Sequence, residues 1–151
     1  MIDERLRELG IELPTAPAPL ASYVPVRMAG DLAFVSGQVP IEAGELLSAG
    51  RLGAEVTLEH GQQAARRCAL QALAALREAL GSLDRVAEIV KLDVFVASAP
   101  GFTDQPKVAN GASDLLVEVF GDPGRHARAA VGVAELPLGA SVEVALTARI
   151  A

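Results

Sequence analysis

Apolar residues recur at two periods along this chain, and the switches between them divide it into elements. Residues 3–9 read as a short helix stopped at Gly10. Pro14, Pro17 and Pro19 then impose an extended linker, because each fixes φ and lacks an amide hydrogen. Val24, Val26 and Met28 alternate with Tyr23, Pro25 and Arg27, which predicts a strand. A turn at Ala29, Gly30 and Asp31 joins it to a second strand over residues 32–38. Residues 40–53 are rich in turn formers, with a short third strand at 45–48. Thr57 then caps a helix whose stripe runs Ala65, Ala69, Ala72, Leu76, Leu80 and Leu83, with Gly81 as the stop. Period two returns over 89–96, where Val90, Leu92, Val94 and Val96 share one face and Lys91 and Asp93 the other. A second long helix is predicted over 108–120, closed by Gly121, Pro123 and Gly124. Residues 128–133 form a strand with Ala129, Val131 and Val133 toward the core. Val142, Val144, Leu146, Ala148 and Ile150 make the core side of the last strand.

The predicted order is β-β-β-α-β-α-β-β. Strands interrupted by two helices give an α+β class, a mixed sheet with two long helices packed on one face. The 151 residues show no repeat and no linker to a second unit, so a single domain over 1–151 with a short N-terminal helix is expected. The other sheet face, rich in Val and Ala, needs a cover. Hydrophobic residues make up 51% of the chain, yet no uncharged apolar run reaches the ~18 residues that span a bilayer. The expected cover is further copies of the chain, with no membrane contact.

Charge and cysteine usage narrow the function. Net charge is −6 and aromatic residues are 3% of the chain, so the basic stripe and stacking aromatics of a nucleic-acid binder are lacking. Residues 1–10 are charged from Asp3 onward, without the apolar core of a secretory signal. Cys68 is the only cysteine, so no disulfide forms within the chain, and a cytoplasmic location is expected. Cys68 lies in an Ala- and Leu-rich helical stretch and reads as a small core residue. His60 and His126 have no Cys or second His at ligand spacing, so no metal site is expected. His60 reads as a surface residue and His126 as a structural one. GxSxG, P-loop and GxGxxG motifs are absent, and no cofactor is implied.

Arg128 stands out. It lies in a run of small residues and shares a face with Ala130, Gly132 and Ala134, read here as the side away from the core. A guanidinium above small residues has room to hold a carboxylate through two parallel hydrogen bonds. An interface arginine paired with a neighbouring acid is the alternative. Glu143 lies on the last strand, opposite Val142 and Val144. Paired as a hairpin, the last two strands bring Glu143 near Arg128, where it either orients a water or forms an ion pair.

Three segments share a pattern. They are Phe34-Val35-Ser36-Gly37-Gln38 with Pro40; Gly81-Ser82-Leu83-Asp84-Arg85-Val86 leading into Lys91-Leu92-Asp93-Val94-Phe95; and Arg128-Ala129-Ala130-Val131-Gly132-Val133 with Leu136-Pro137 and Val142-Glu143-Val144. In this order over nearly 130 residues, they resemble the signatures of the Rid family, the reactive intermediate deaminases also called YjgF or L-PSP endoribonuclease-like proteins. The resemblance implies a chorismate mutase-like fold, a homotrimer and clefts between subunits. It implies hydrolysis of 2-imino acids and their enamine tautomers to 2-keto acids and ammonia, without metal or organic cofactor. The family's carboxylate-binding arginine falls on Arg128 and its acidic residue on Glu143. Its tyrosine before the first strand falls on Tyr23, its glycine on Gly37 and its asparagine near the second helix on Asn110. Ala130 stands where many members have cysteine, the segment 101–121 is longer than usual, and the N-terminal helix is an addition. These departures point to a divergent branch. A trimer that binds a small carboxylate-bearing metabolite without turnover is the alternative function.

Overall fold

The computed structural model describes residues 1–16, 18 and 21–151. The chain runs α1 (Ile2–Glu8), β1 (Val26–Ala29), β2 (Leu32–Gln38), β3 (Ile41–Glu42), β4 (Glu45–Leu46), α2 (Leu58–Leu80), β5 (Val86–Ala97), α3 (Gln105–Phe120), β6 (Ala127–Val133) and β7 (Val142–Ile150). The most regular alternation becomes the central strand. On β7, Val142, Val144, Leu146 and Ala148 are fully buried, and the main sheet is ordered β1-β2-β7-β5-β6 around it. Within the main sheet β5 and β6 pair in parallel, because α3 carries the chain back between them, and the other neighbours are antiparallel.

Both long helices lie on one face of this sheet, with the core between. Thr57 Oγ1 accepts from the His60 amide at the start of α2, and Gly81 takes the left-handed conformation at its end. Every residue of the predicted stripe from Ala65 to Leu83 is buried. Gly111 marks where α3 crosses α2. A Cβ there would run into the Gln62 carbonyl, so only glycine permits this approach. The helix α1 is tied to the same layer. Leu6 is buried, the Ile2 amide donates to Asp84 Oδ1 at 2.8 Å, and Arg5 Nε donates to the Glu118 carbonyl at 2.9 Å. No helix among the described residues is long and apolar enough to cross a membrane.

Several expectations are corrected. The first strand begins at Val26, not at Tyr23. The expected third strand is β4, which leaves the main sheet to pair with β3 across Ala43 and Gly44, both at positive φ. Pro17 and Pro19 of the expected linker lie outside the described residues. On β5 the register shifts between Ile89 and Lys91, so Ile89 enters the core while Val90 is exposed.

The face assigned to β6 is reversed. Pairing with β5 sets Arg128, Ala130 and Gly132 beside the buried Leu92, Val94 and Val96, on the helix side. Ala129, Val131 and Val133 turn to the open face, and Val131 is 46% exposed. Small residues suit the helix side because α3 crowds it. A Cβ at Gly132 would lie 2.8 Å from Gln105 Nε2. The expected β6–β7 hairpin does not form either, because β5 lies between the two strands.

Candidate functional site

The residues singled out from the sequence fall into two groups on opposite faces of the sheet. The first is at the β6 edge, under α3. Asn110 and Ser113 are three residues apart and so share one face of that helix. Arg128 Nη1 donates to Asn110 Oδ1 at 2.8 Å and to Ser113 Oγ at 3.1 Å. Both hydrogens of Nη1 are then used. Nε and Nη2 have no partner among the described residues, and their two parallel N–H bonds form the edge that matches a carboxylate. Ser113 Oγ also lies 2.8 Å from His126 Nε2, and His126 Nδ1 lies 2.7 Å from the Gly124 carbonyl.

The second group is on the open face. Glu143 lies between Phe95 of β5, its register partner, and Gly37 of β2. A bulge between Val35 and Gln38 sets the strand around Gly37. A Cβ on Gly37 would stand 2.7 Å from Glu143 Oε2, so the carboxyl occupies the space that a side chain would fill. Glu143 has no hydrogen-bond or ionic partner among the described residues, and burial pushes its carboxyl above the usual carboxylate range. Gly37 also lines an apolar groove of about 170 Å³ with Tyr23, Pro25, Gln38, Val39 and Leu138. Tyr23 is held near by its neighbours: Ser36 Oγ donates to the Val24 carbonyl at 2.6 Å and the Ser36 amide to the Pro25 carbonyl at 2.9 Å.

The structure therefore brings Asn110 to Arg128, and Gly37 and Tyr23 to one groove beside Glu143. It does not bring Arg128 to Glu143 within one chain, since the two side chains leave opposite faces of the sheet. Sequence reasoning missed Ser113 and assigned His126 only a structural place. The signal was present in the spacing, since Ser113 follows Asn110 by one helical step. Cys68 is buried as expected, and desolvation raises its thiol well above the ordinary value. His60 is less free than a surface reading implies, with Nε2 3.0 Å from the Leu47 carbonyl.

A mixed five-stranded sheet with its helices layered on one face defines an α+β protein, with the candidate guanidinium at one edge and the candidate carboxyl on the bare face. The family described as "YjgF/chorismate mutase-like, putative endoribonuclease" matches residues 3–150, and the chain belongs to it. Protein TCP17 of Trypanosoma cruzi is 55% identical over 92% of this chain and 88% of its own length. A 2-iminobutanoate/2-iminopropanoate deaminase of Dermatophagoides farinae is 30% identical over 89% of this chain and 90% of its own. A crystal structure of an Agrobacterium tumefaciens protein superposes with a TM-score of 0.92 at 47% identity, covering 99% of this chain and 92% of that one.

Proposed function

We propose that the protein hydrolyses 2-imino acids and their enamine tautomers to 2-keto acids and ammonia, in clefts completed between the subunits of a cytoplasmic homotrimer. The division of the site carries this reading. Among the described residues the Nε–Nη2 edge of Arg128 has no protein partner at one sheet edge, and Glu143 has none on the opposite face. A second copy that sets its β6 edge against the open face of the first unites them. The open face carries the apolar area such a contact needs, with Phe34 44% and Val131 46% exposed.

In that cleft the substrate carboxylate lies in the Arg128 fork, and the C=N carbon faces a water beside Glu143. Glu143 takes a proton from the water as its oxygen bonds to carbon, and delivers that proton to nitrogen. The hydroxyl proton of the resulting carbinolamine follows to nitrogen as C=O forms and ammonia leaves. A carboxyl raised by burial suits this exchange, because it holds and releases a proton nearer neutral pH than an exposed one. The relative from Dermatophagoides farinae, a deaminase of this class by name, supports the chemistry. The ribonuclease activity in the family's description fits this chain poorly, because contact with phosphates dominates RNA affinity and the net charge here is −6.

The test generates 2-iminobutyrate in situ with an amino-acid oxidase and traps it as the semicarbazone. Protein at micromolar concentration is expected to suppress the trapped product. Unchanged trapping across several side-chain sizes would leave a carboxylate-binding protein without turnover.

A further inference from the structure

We propose that Ser113 and His126 form a positioning relay that aims the Arg128 fork and thereby sets the affinity of the site for a carboxylate. The inference rests on the carboxylate role given to Arg128 above. A carbonyl only accepts, so His126 Nδ1 carries the hydrogen donated to Gly124. A guanidinium only donates, so Ser113 Oγ accepts from Arg128. The Ser113 hydroxyl hydrogen is then left for His126 Nε2, which must be bare to receive it. The Nδ1–H tautomer of His126 gives each contact from Arg128 to Gly124 one donor and one acceptor. A hydrogen on Nε2 would instead set a second cation within about 6 Å of the guanidinium and displace the hydroxyl hydrogen.

The far end of the relay is fixed by packing. Gly124 is buried against α3, where a Cβ would run into the Leu116 carbonyl, so the carbonyl that holds His126 cannot retreat. The near end is the Nη1 corner of Arg128, shared with Asn110. With that corner pinned from two sides, the guanidinium plane cannot turn, and its Nε–Nη2 edge keeps one direction. A serine paired with a histidine is also the geometry of an activated nucleophile. Here the serine oxygen already accepts from a cation, which draws electron density away from it, so the pair serves the guanidinium.

The experiment uses the full-length protein in its native assembly and 2-oxobutyrate as the ligand. By titration calorimetry, Ser113→Ala is expected to weaken binding about tenfold, and Ser113→Thr to restore most of it. His126→Gln, which keeps an acceptor for the hydroxyl, is expected to bind more tightly than His126→Ala. Nitrogen NMR of the unmodified protein is expected to show the His126 hydrogen on Nδ1. The Nε2 resonance shifts on adding 2-oxobutyrate, and that response is lost in Ser113→Ala. A hydrogen found on Nε2, or wild-type affinity in Ser113→Ala, overturns the relay and leaves the carboxylate reading of Arg128 standing. Failure of the wild type to bind 2-oxobutyrate overturns that reading and the relay with it.

Discussion

Gly37→Ala separates the placement of the Glu143 carboxyl from the stability of the fold. Gly37 does not have positive φ, so alanine adopts its backbone without strain. The new Cβ meets Glu143 Oε2 at 2.7 Å, Cδ at 2.9 Å and Cγ at 3.2 Å. Ordinary contact begins near 3.4 Å, so the carboxyl must move by about 0.7 Å. It is the free end of a half-buried side chain and swings aside easily. The expected stability loss is therefore below about 1 kcal/mol, or roughly 2–4 °C in Tm for a chain of this size. A catalytic group misplaced by most of an ångström loses activity on the order of 10²-fold. The assays are a thermal melt and the semicarbazone competition, run on the same preparation. In a Glu143→Gln background the glycine change is expected to add little further loss, because both act on one carboxyl. Unchanged melting with unchanged turnover would refute the reasoning, since Glu143 would then work from another position. A collapse in Tm would refute it differently, by showing that Gly37 serves backbone packing.

Burial raises the Glu143 carboxyl, so the folded state binds that proton more tightly than the unfolded one, and this group's contribution to stability falls as pH rises from the ordinary carboxylate value through the raised one. Glu143→Gln is thus expected to melt above wild type at pH 7 and to lose that advantage near about pH 4; an equal difference at both pH values would contradict the assignment. Arg128→Lys keeps the charge and loses the planar fork, so affinity for 2-oxobutyrate falls by roughly 1.5–3 kcal/mol while the mass of the assembly is unchanged. Light scattering behind size exclusion is expected to give about three times the 15.6 kDa of the chain, and a monomer mass would remove the shared cleft. Filter binding to RNA is expected to show no salt-sensitive retention, and a steep loss of retained RNA between low and physiological salt would restore the ribonuclease reading.

What was legible in the sequence follows the size of the side chains. The alternation of Val142, Val144, Leu146, Ala148 and Ile150 admits one face only, and that face is buried. The α2 limits were readable because Thr57 and Gly81 act through their own backbone neighbours. The β6 strand was misread because its larger residues, Val131 and Val133, lie on the open face, while the side under α3 has room only for Ala130 and Gly132 beside Arg128. Its direction is decided by β5 and α3, neither of which adjoins it in sequence. The same cause hid the separation of Arg128 from Glu143. Sequence proximity suggested a hairpin, whereas the chain crosses the end of β5 before β7 begins. Glu143 and Gly37 were both recognisable as candidates, but their contact depends on a bulge in β2 that alternation alone does not reveal.

The opposite orientation of Arg128 and Glu143 has a consequence for mixtures of damaged copies. On the proposed assembly, every cleft draws its guanidinium from one protomer and its carboxyl from the next. A copy lacking only the first function and a copy lacking only the second are each silent alone. Unfolded together and reassembled in equal amounts, they complement one another. About one cleft in four then inherits an intact Arg128 and an intact Glu143 from different chains. The same arithmetic makes the protein vulnerable, because one chain lacking both functions and entering a wild-type trimer silences two of its three clefts.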